Sequence, residues 1–263
     1  LPAGPARDLM PAMDADCPTR PFGGSEDFAA SPDGKAVIFS ARDAGREEAW
    51  STNYDLFEVP LDSSAAPRKL TTNSAWDAQP KFSPDGARLA YLAMSRAGYE
   101  ADRFTIVVRE RASGAERKID LRVADGRFGD RSPADLSWSS DGRELYCSAD
   151  HLGQHALFAV DVASGKSRIV VGAGTVAATQ PLPSGRILFG MHSLQGPTEL
   201  YTTARAGGDV RRVTRLNDEK VAKARFGQPE PFSFAGAGGD TVHGWLVRPV
   251  DFDPAKKYPV AFL

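Results

Sequence analysis

Two cysteines in 263 residues cannot staple a fold of this size, and Cys17 and Cys147 lie too far apart for any metal-ligand spacing. Cys147 sits in the apolar run Leu145-Tyr146-Cys147 and reads as a buried free thiol. A disulfide to Cys17, or from Cys17 to another segment, is the alternative, so the cysteines do not fix a compartment. Histidine is also scarce, at four residues. His151 and His155 stand four apart, which aligns two ligands only on a helix. Here the spacing falls in a glycine-bearing loop entering a strand, so no metal site is expected there, nor at His192 or His243. No apolar run approaches the ~18–20 residues of a membrane helix. The 32 basic and 34 acidic residues leave a net charge of −2 and a pI near 6.1. No one-signed field exists to draw nucleic acid or anionic lipid. There is no Gly-x-Ser-x-Gly elbow for a hydrolase nucleophile, and no cofactor is expected. The start, Leu1-Pro2-Ala3-Gly4-Pro5, reads as a loop without a signal peptide, and the true N-terminus is expected upstream.

What is plentiful is turn chemistry. The chain has 25 glycines and 19 prolines, set between short strand-like runs. One phrase recurs: Ser31-Pro32-Asp33-Gly34, Ser83-Pro84-Asp85-Gly86 and Ser139-Ser140-Asp141-Gly142, with a degraded copy at Pro183-Ser184-Gly185. Each precedes a basic residue and an apolar run, as in Lys35-Ala36-Val37-Ile38-Phe39 or Arg88-Leu89-Ala90-Tyr91-Leu92. Proline presets the first turn angle, aspartate bonds nearby amides, and glycine accepts the positive φ that closes the turn. A second hairpin follows each copy. One such unit runs from Asp55-Leu56-Phe57-Glu58-Val59 to Arg68-Lys69-Leu70, another from Thr105-Ile106-Val107-Val108 to Arg117-Lys118-Ile119. Four strands per repeat, at a spacing of roughly 40–55 residues, is the content of a β-propeller blade. The spacing predicts four blades, at 24–72, 76–122, 133–172 and 175–215, of a larger ring of about seven or eight. A β-sandwich would not repeat the turn phrase.

The pattern changes after about residue 217. Glu230-Pro231-Phe232-Ser233-Phe234 and Val242-His243-Gly244-Trp245-Leu246-Val247 flank a glycine-rich turn and read as a hairpin. Tyr258-Pro259-Val260-Ala261-Phe262-Leu263 reads as an apolar strand opening a second, truncated domain. The expected organisation is therefore a partial all-β propeller over 1–216, then a hinge and first strands over 217–263.

These residues resemble the prolyl oligopeptidase family of serine peptidases, in which a propeller caps an α/β-hydrolase domain. The hinge segment carries most of that likeness. Ala41-Arg42-Asp43-Ala44-Gly45-Arg46-Glu47-Glu48-Ala49-Trp50-Ser51-Thr52-Asn53 and Tyr99-Glu100-Ala101-Asp102-Arg103-Phe104 resemble the dipeptidyl peptidase V and acylaminoacyl-peptidase-like branch of bacteria. The resemblance implies an enzyme that removes dipeptides from oligopeptide N-termini, located in the periplasm or secreted. Partners implied are oligopeptides and the chain's own C-terminal hydrolase domain, with an oligomer possible. No catalytic serine, aspartate or histidine has a matching position here, so the chain alone is expected to be inactive. An acylaminoacyl peptidase or oligopeptidase of the same family is the nearest alternative, and a non-catalytic propeller scaffold the alternative of another class.

An exopeptidase needs a fixed negative group for the substrate's α-ammonium, and an arginine fork can hold its carbonyl. The best candidates are Glu100, Asp102 and Arg103, in a blade insertion flanked by Tyr99 and Phe104. Glu48 and Trp50, in the equivalent insertion one blade earlier, form a second candidate set. A solvated loop with an exposed ion pair worth ~0–1 kcal/mol is the ordinary alternative for both.

Overall fold

The computed structural model describes residues 4–20, 23–122 and 131–263; Leu1, Pro2 and Ala3 of the opening loop lie outside that range. Four four-stranded antiparallel units follow one another. The first comprises β1 (Phe28–Ala30), β2 (Ala36–Ala41), β3 (Asp55–Pro60) and β4 (Arg68–Lys69). The second comprises β5 (Asp77–Phe82), β6 (Arg88–Ala93), β7 (Thr105–Glu110) and β8 (Glu116–Ile119). The third comprises β9 (Ala134–Trp138), β10 (Glu144–His151), β11 (Gln154–Asp161) and β12 (Ser167–Val171). The fourth comprises β13 (Thr175–Pro181), β14 (Arg186–Ser193), β15 (Gly196–Ala204) and β16 (Arg211–Arg212). The first strands of the blades, β1, β5, β9 and β13, lie side by side. This is the inner rank of a β-propeller.

The recurring phrase closes the β1–β2, β5–β6 and β9–β10 hairpins. In the second blade Ser83 Oγ donates to Asp85 Oδ1 at 2.5 Å and accepts from the Arg88 amide at 2.9 Å. Gly86, at φ 68°, supplies the left-handed residue that the turn requires. The bond from the serine hydroxyl holds Asp33 and Asp85 below the usual carboxylate range. The degraded copy still turns, at Gly185.

The blade strands read as unbroken apolar runs because both faces are covered. Side chains alternate along a strand, so neighbours enter different seams. Ile38 packs with Leu56, Leu89 and Tyr91 between blades one and two. Leu145 and Phe158 join Leu92, Ile106, Leu136 and Trp138 between blades two and three. Tyr146 and Leu157 join Val176, Ile187 and Phe189 between blades three and four. On the outer face of blade one, Phe39, Phe57 and Val59 are covered by Leu9, Met10 and Met13. Cys147 is buried and, like Cys17, free. Burial pushes the Cys147 thiol up to about 12.

Two regions differ from the sequence reading. A short helix, α1 (Asp218–Lys223), follows the fourth blade; its Lys223–Glu219 pair at 2.6 Å is too weak a signal to read in advance. After the expected hairpin of β17 (Pro229–Ala235) and β18 (Thr241–Val247), residues 257–263 form no strand. The apolar side chains of that segment are present, but no neighbouring strand offers its amides and carbonyls partners.

Candidate functional site

Each blade leads outward from its inner strand in the same antiparallel order, so the connections between second and third strands emerge at one end of the ring. In blades three and four these are tight turns, and both touch the segment that follows the propeller. Trp245 Nε1 donates to the Gly153 carbonyl at 2.8 Å, and Gln195 Nε2 donates to Gln228 Oε1 at 3.0 Å. In blades one and two the same connections are the long insertions 42–54 and 94–104. These are the two candidate loops, and they share an end of the molecule with the β17–β18 hairpin.

The two insertions are built as one unit. The Gly98 amide donates to Thr52 Oγ1 at 2.9 Å. Beneath them, Tyr54 stacks on Trp76 at 4.8 Å, and Trp76 meets Phe104 edge-on at 5.9 Å. Arg42 lies over the Tyr54 ring at 5.1 Å, donates to the Ser51 carbonyl at 3.0 Å and pairs with Glu48 at 3.1 Å. Burial pushes the Tyr54 phenol up; Arg42 opposes that, and the charges of Glu100 and Glu48 both add to it.

The five sequence candidates separate by role. Glu100 is exposed, and among the described residues its carboxylate makes no hydrogen bond or ion pair. Glu48 is exposed and tied only to Arg42. Trp50 is 72% exposed. Asp102 is turned into its own loop, accepting from the Ser95 amide at 2.9 Å and the Arg96 amide at 2.8 Å. Those bonds hold it below the usual carboxylate range, the Ser95 amide contributing most. Arg103 reaches Asp120 at 3.0 Å, on the connection towards blade three. The geometry thus ties the insertion of Glu48 to that of Glu100 through Thr52 and Gly98 and assigns Asp102 to shaping its own loop.

Tyr54, Arg42 and Trp76 were not singled out by sequence. A usable signal existed: an aromatic residue directly precedes the third strand in both blades, Tyr54 before Asp55 and Phe104 before Thr105. The two histidines read as a loop pair instead end β10 and begin β11, around a two-residue turn. His155 Nδ1 lies 2.8 Å from Asp150 Oδ1, and His151 Nδ1 lies 2.8 Å from Arg131. Among the described residues no group of metal-ligating side chains converges.

No family model matches the chain. Its curated relatives include dipeptidyl-peptidase 5 of Arthroderma otae, 33% identical over 97% of this chain and 36% of that protein. Dipeptidyl-peptidase 5 of Trichophyton equinum is 34% identical over 99% and 37% respectively. Over almost its whole length the chain is similar to these dipeptidyl-peptidases 5. It spans about 36% of the length of those relatives, and they are fungal rather than bacterial. Among solved structures, Pyrococcus horikoshii acylaminoacyl peptidase covers 84% of this chain at a TM-score of 0.62 and 18% identity, the match spanning 32% of that protein. A putative TolB from Agrobacterium tumefaciens covers 71% at a TM-score of 0.55 and 22% identity, over 63% of its own length. These likenesses show the fold alone: the four sheets are propeller blades.

Proposed function

We propose that this chain is the substrate-gating propeller part of a serine exopeptidase that releases dipeptides from the N-termini of oligopeptides. In this reading Glu100 and Glu48 hold the substrate's α-ammonium, with Trp50 beside them. Asp102 fixes the loop that carries Glu100, and Arg103 borders the same loop. The observation that carries the reading is the bond from the Gly98 amide to Thr52 Oγ1 that ties the insertion bearing Glu100 to the one bearing Glu48, at the end of the ring the hinge hairpin touches. Glu100, exposed and without a protein cation among the described residues, is free to take a ligand ammonium, and charge-assisted hydrogen bonds are the strong ones. A periplasmic or secreted setting belongs to the same proposal, as does an acylaminoacyl-peptidase activity as its rival.

The test uses the full-length enzyme. Glu100→Gln keeps the shape and removes the charge. Such a contact contributes ~1.5–3 kcal/mol, so kcat/KM for free dipeptidyl substrates should fall roughly ten- to a hundredfold. An N-acylated substrate carries no ammonium and should lose far less. Equal losses on both substrates would show that Glu100 supports the fold, and preferential use of the acylated substrate would favour the rival activity.

A further inference from the structure

Directly below the Arg42–Tyr54 insertion, the seam between blades one and two buries two aspartates. Asp55 is 3% exposed and Asp77 is fully buried. They differ in what surrounds them. Asp55 Oδ2 pairs with Lys69 Nζ at 2.5 Å and accepts from Asn53 Nδ2 at 3.2 Å. Its Oδ1 lies 3.3 Å from Thr71 Oγ1. Asp55 is thereby a compensated carboxylate. Asp77 Oδ1 accepts from Asn73 Nδ2, while its Oδ2 is buried with no partner among the described residues. Lys69 is already committed to Asp55.

Thr71 does not relieve Asp77. Its hydroxyl accepts from the Leu56 amide at 2.9 Å and donates its one proton to Asp55 Oδ1, so none is left for Asp77. Protonated, Asp77 buries no charge. Ionised, it leaves a buried carboxylate oxygen with neither a hydrogen-bond donor nor an ion-pair partner among the described residues, a costly arrangement for such a group.

We propose that the folded chain holds a proton on Asp77, and that this proton positions the insertion carrying Glu48 and Trp50. The connection is short. The Asp77 amide donates to the Tyr54 carbonyl at 2.8 Å, the last residue of that insertion. Ser40 Oγ, at its other root, donates to the Asp77 carbonyl at 2.7 Å. Tyr54 stacks on Trp76, the neighbour of Asp77. The charged and titratable groups facing Asp77 are Asp55 and Lys69 from blade one, and Tyr91, Glu116 and Lys118 from blade two. Burial pushes Asp77 up to about 7, with Asp55 and Glu116 adding and Lys118 opposing. A group whose folded value exceeds its ordinary one of about 4 stabilises the fold in acid and loses that contribution as pH rises through about 7. Loss of the proton therefore loosens the seam and the insertion above it between pH 5 and 8.

The experiment needs no peptidase activity, so it stands or fails apart from the function proposed above. Thermal unfolding of the chain is followed from pH 5 to 8.5 alongside Asp77→Asn. Asparagine is the neutral isostere of the protonated acid. The wild-type Tm should fall from pH 5 to about 7 with the dependence of about one proton and level off above, whereas Asp77→Asn should be flatter and exceed wild type at pH 8.5. Hydrogen exchange in residues 42–54, corrected for intrinsic rates, should rise with pH in the wild type only. If Asp77→Asn does not fold, the carboxyl 13C resonance of Asp77 in the wild type decides alone. A midpoint near 4, an unchanged pH slope in the folded variant, or loop exchange indifferent to the titration would overturn the inference.

Discussion

At Gly153 the backbone has φ +77°, and a Cβ built there would lie 2.9 Å from Trp245 Nε1. That glycine is needed twice: for the turn between β10 and β11, and for the approach of the indole that donates to its carbonyl. Gly153→Ala should cost about 1–2 kcal/mol from the left-handed backbone alone, and it should displace the indole. Urea unfolding would read the loss, and faster hydrogen exchange in β17 and β18 would read the detached hairpin. Arg205 is the corresponding node between blades three and four. It donates to Asp141 at 2.7 Å and Glu144 at 2.7 Å, while Arg168 pairs with Glu144 at 2.5 Å. The Arg205 guanidinium, then the Ser139 hydroxyl, holds Asp141 well below the usual range. A depressed carboxylate stabilises the fold above its ordinary pKa and loses that contribution as pH falls. Arg205→Ala should therefore flatten the acid limb of the stability curve below about pH 4, measured as Tm against pH. The pair is partly exposed, so the effect at neutral pH should be small.

Among the elements, the first hairpin of each blade depends on its serine. Ser83 is fully buried, and Ser83→Ala removes the acceptor of the Arg88 amide and the donor to Asp85 together. A buried amide left without a partner costs about 1–3 kcal/mol. The loss should show as reduced stability and as local exchange in β5 and β6, with blade four little affected. This element was legible in advance because its chemistry is local: three residues supply the turn and the next four supply an apolar strand. The Tyr258–Leu263 segment reads just as apolar, yet it is no strand, because a strand exists only with a partner. The helix at Asp218–Lys223 escaped for the opposite reason. At six residues it is shorter than any window in which helical periodicity could be read, and it forms where Glu199 accepts from the Asn217 amide at its start.

For the whole molecule, packing runs between blades rather than within them. Phe158 is fully buried in the seam between blades two and three, so Phe158→Ala should cost about 3–5 kcal/mol and loosen two blades at once. The chain should also be inert alone: no Gly-x-Ser-x-Gly elbow is present, and chromogenic dipeptidyl substrates should show no turnover sensitive to a serine-directed inhibitor. The sequence by itself determined the repeat, the blade count and the two long insertions, because turn residues and strand alternation act within a few neighbours. It also placed Glu48 and Glu100 among the candidates, but as members of separate loops. Only the tertiary structure decided that Gly98 and Thr52 join those two loops, that Asp102 is spent inside its own loop, and that Asp55 and Asp77 are both buried at one seam. Those pairings join residues from different blades, and nothing local encodes them. They arise when side chains on opposite faces of each strand are pressed into neighbouring seams.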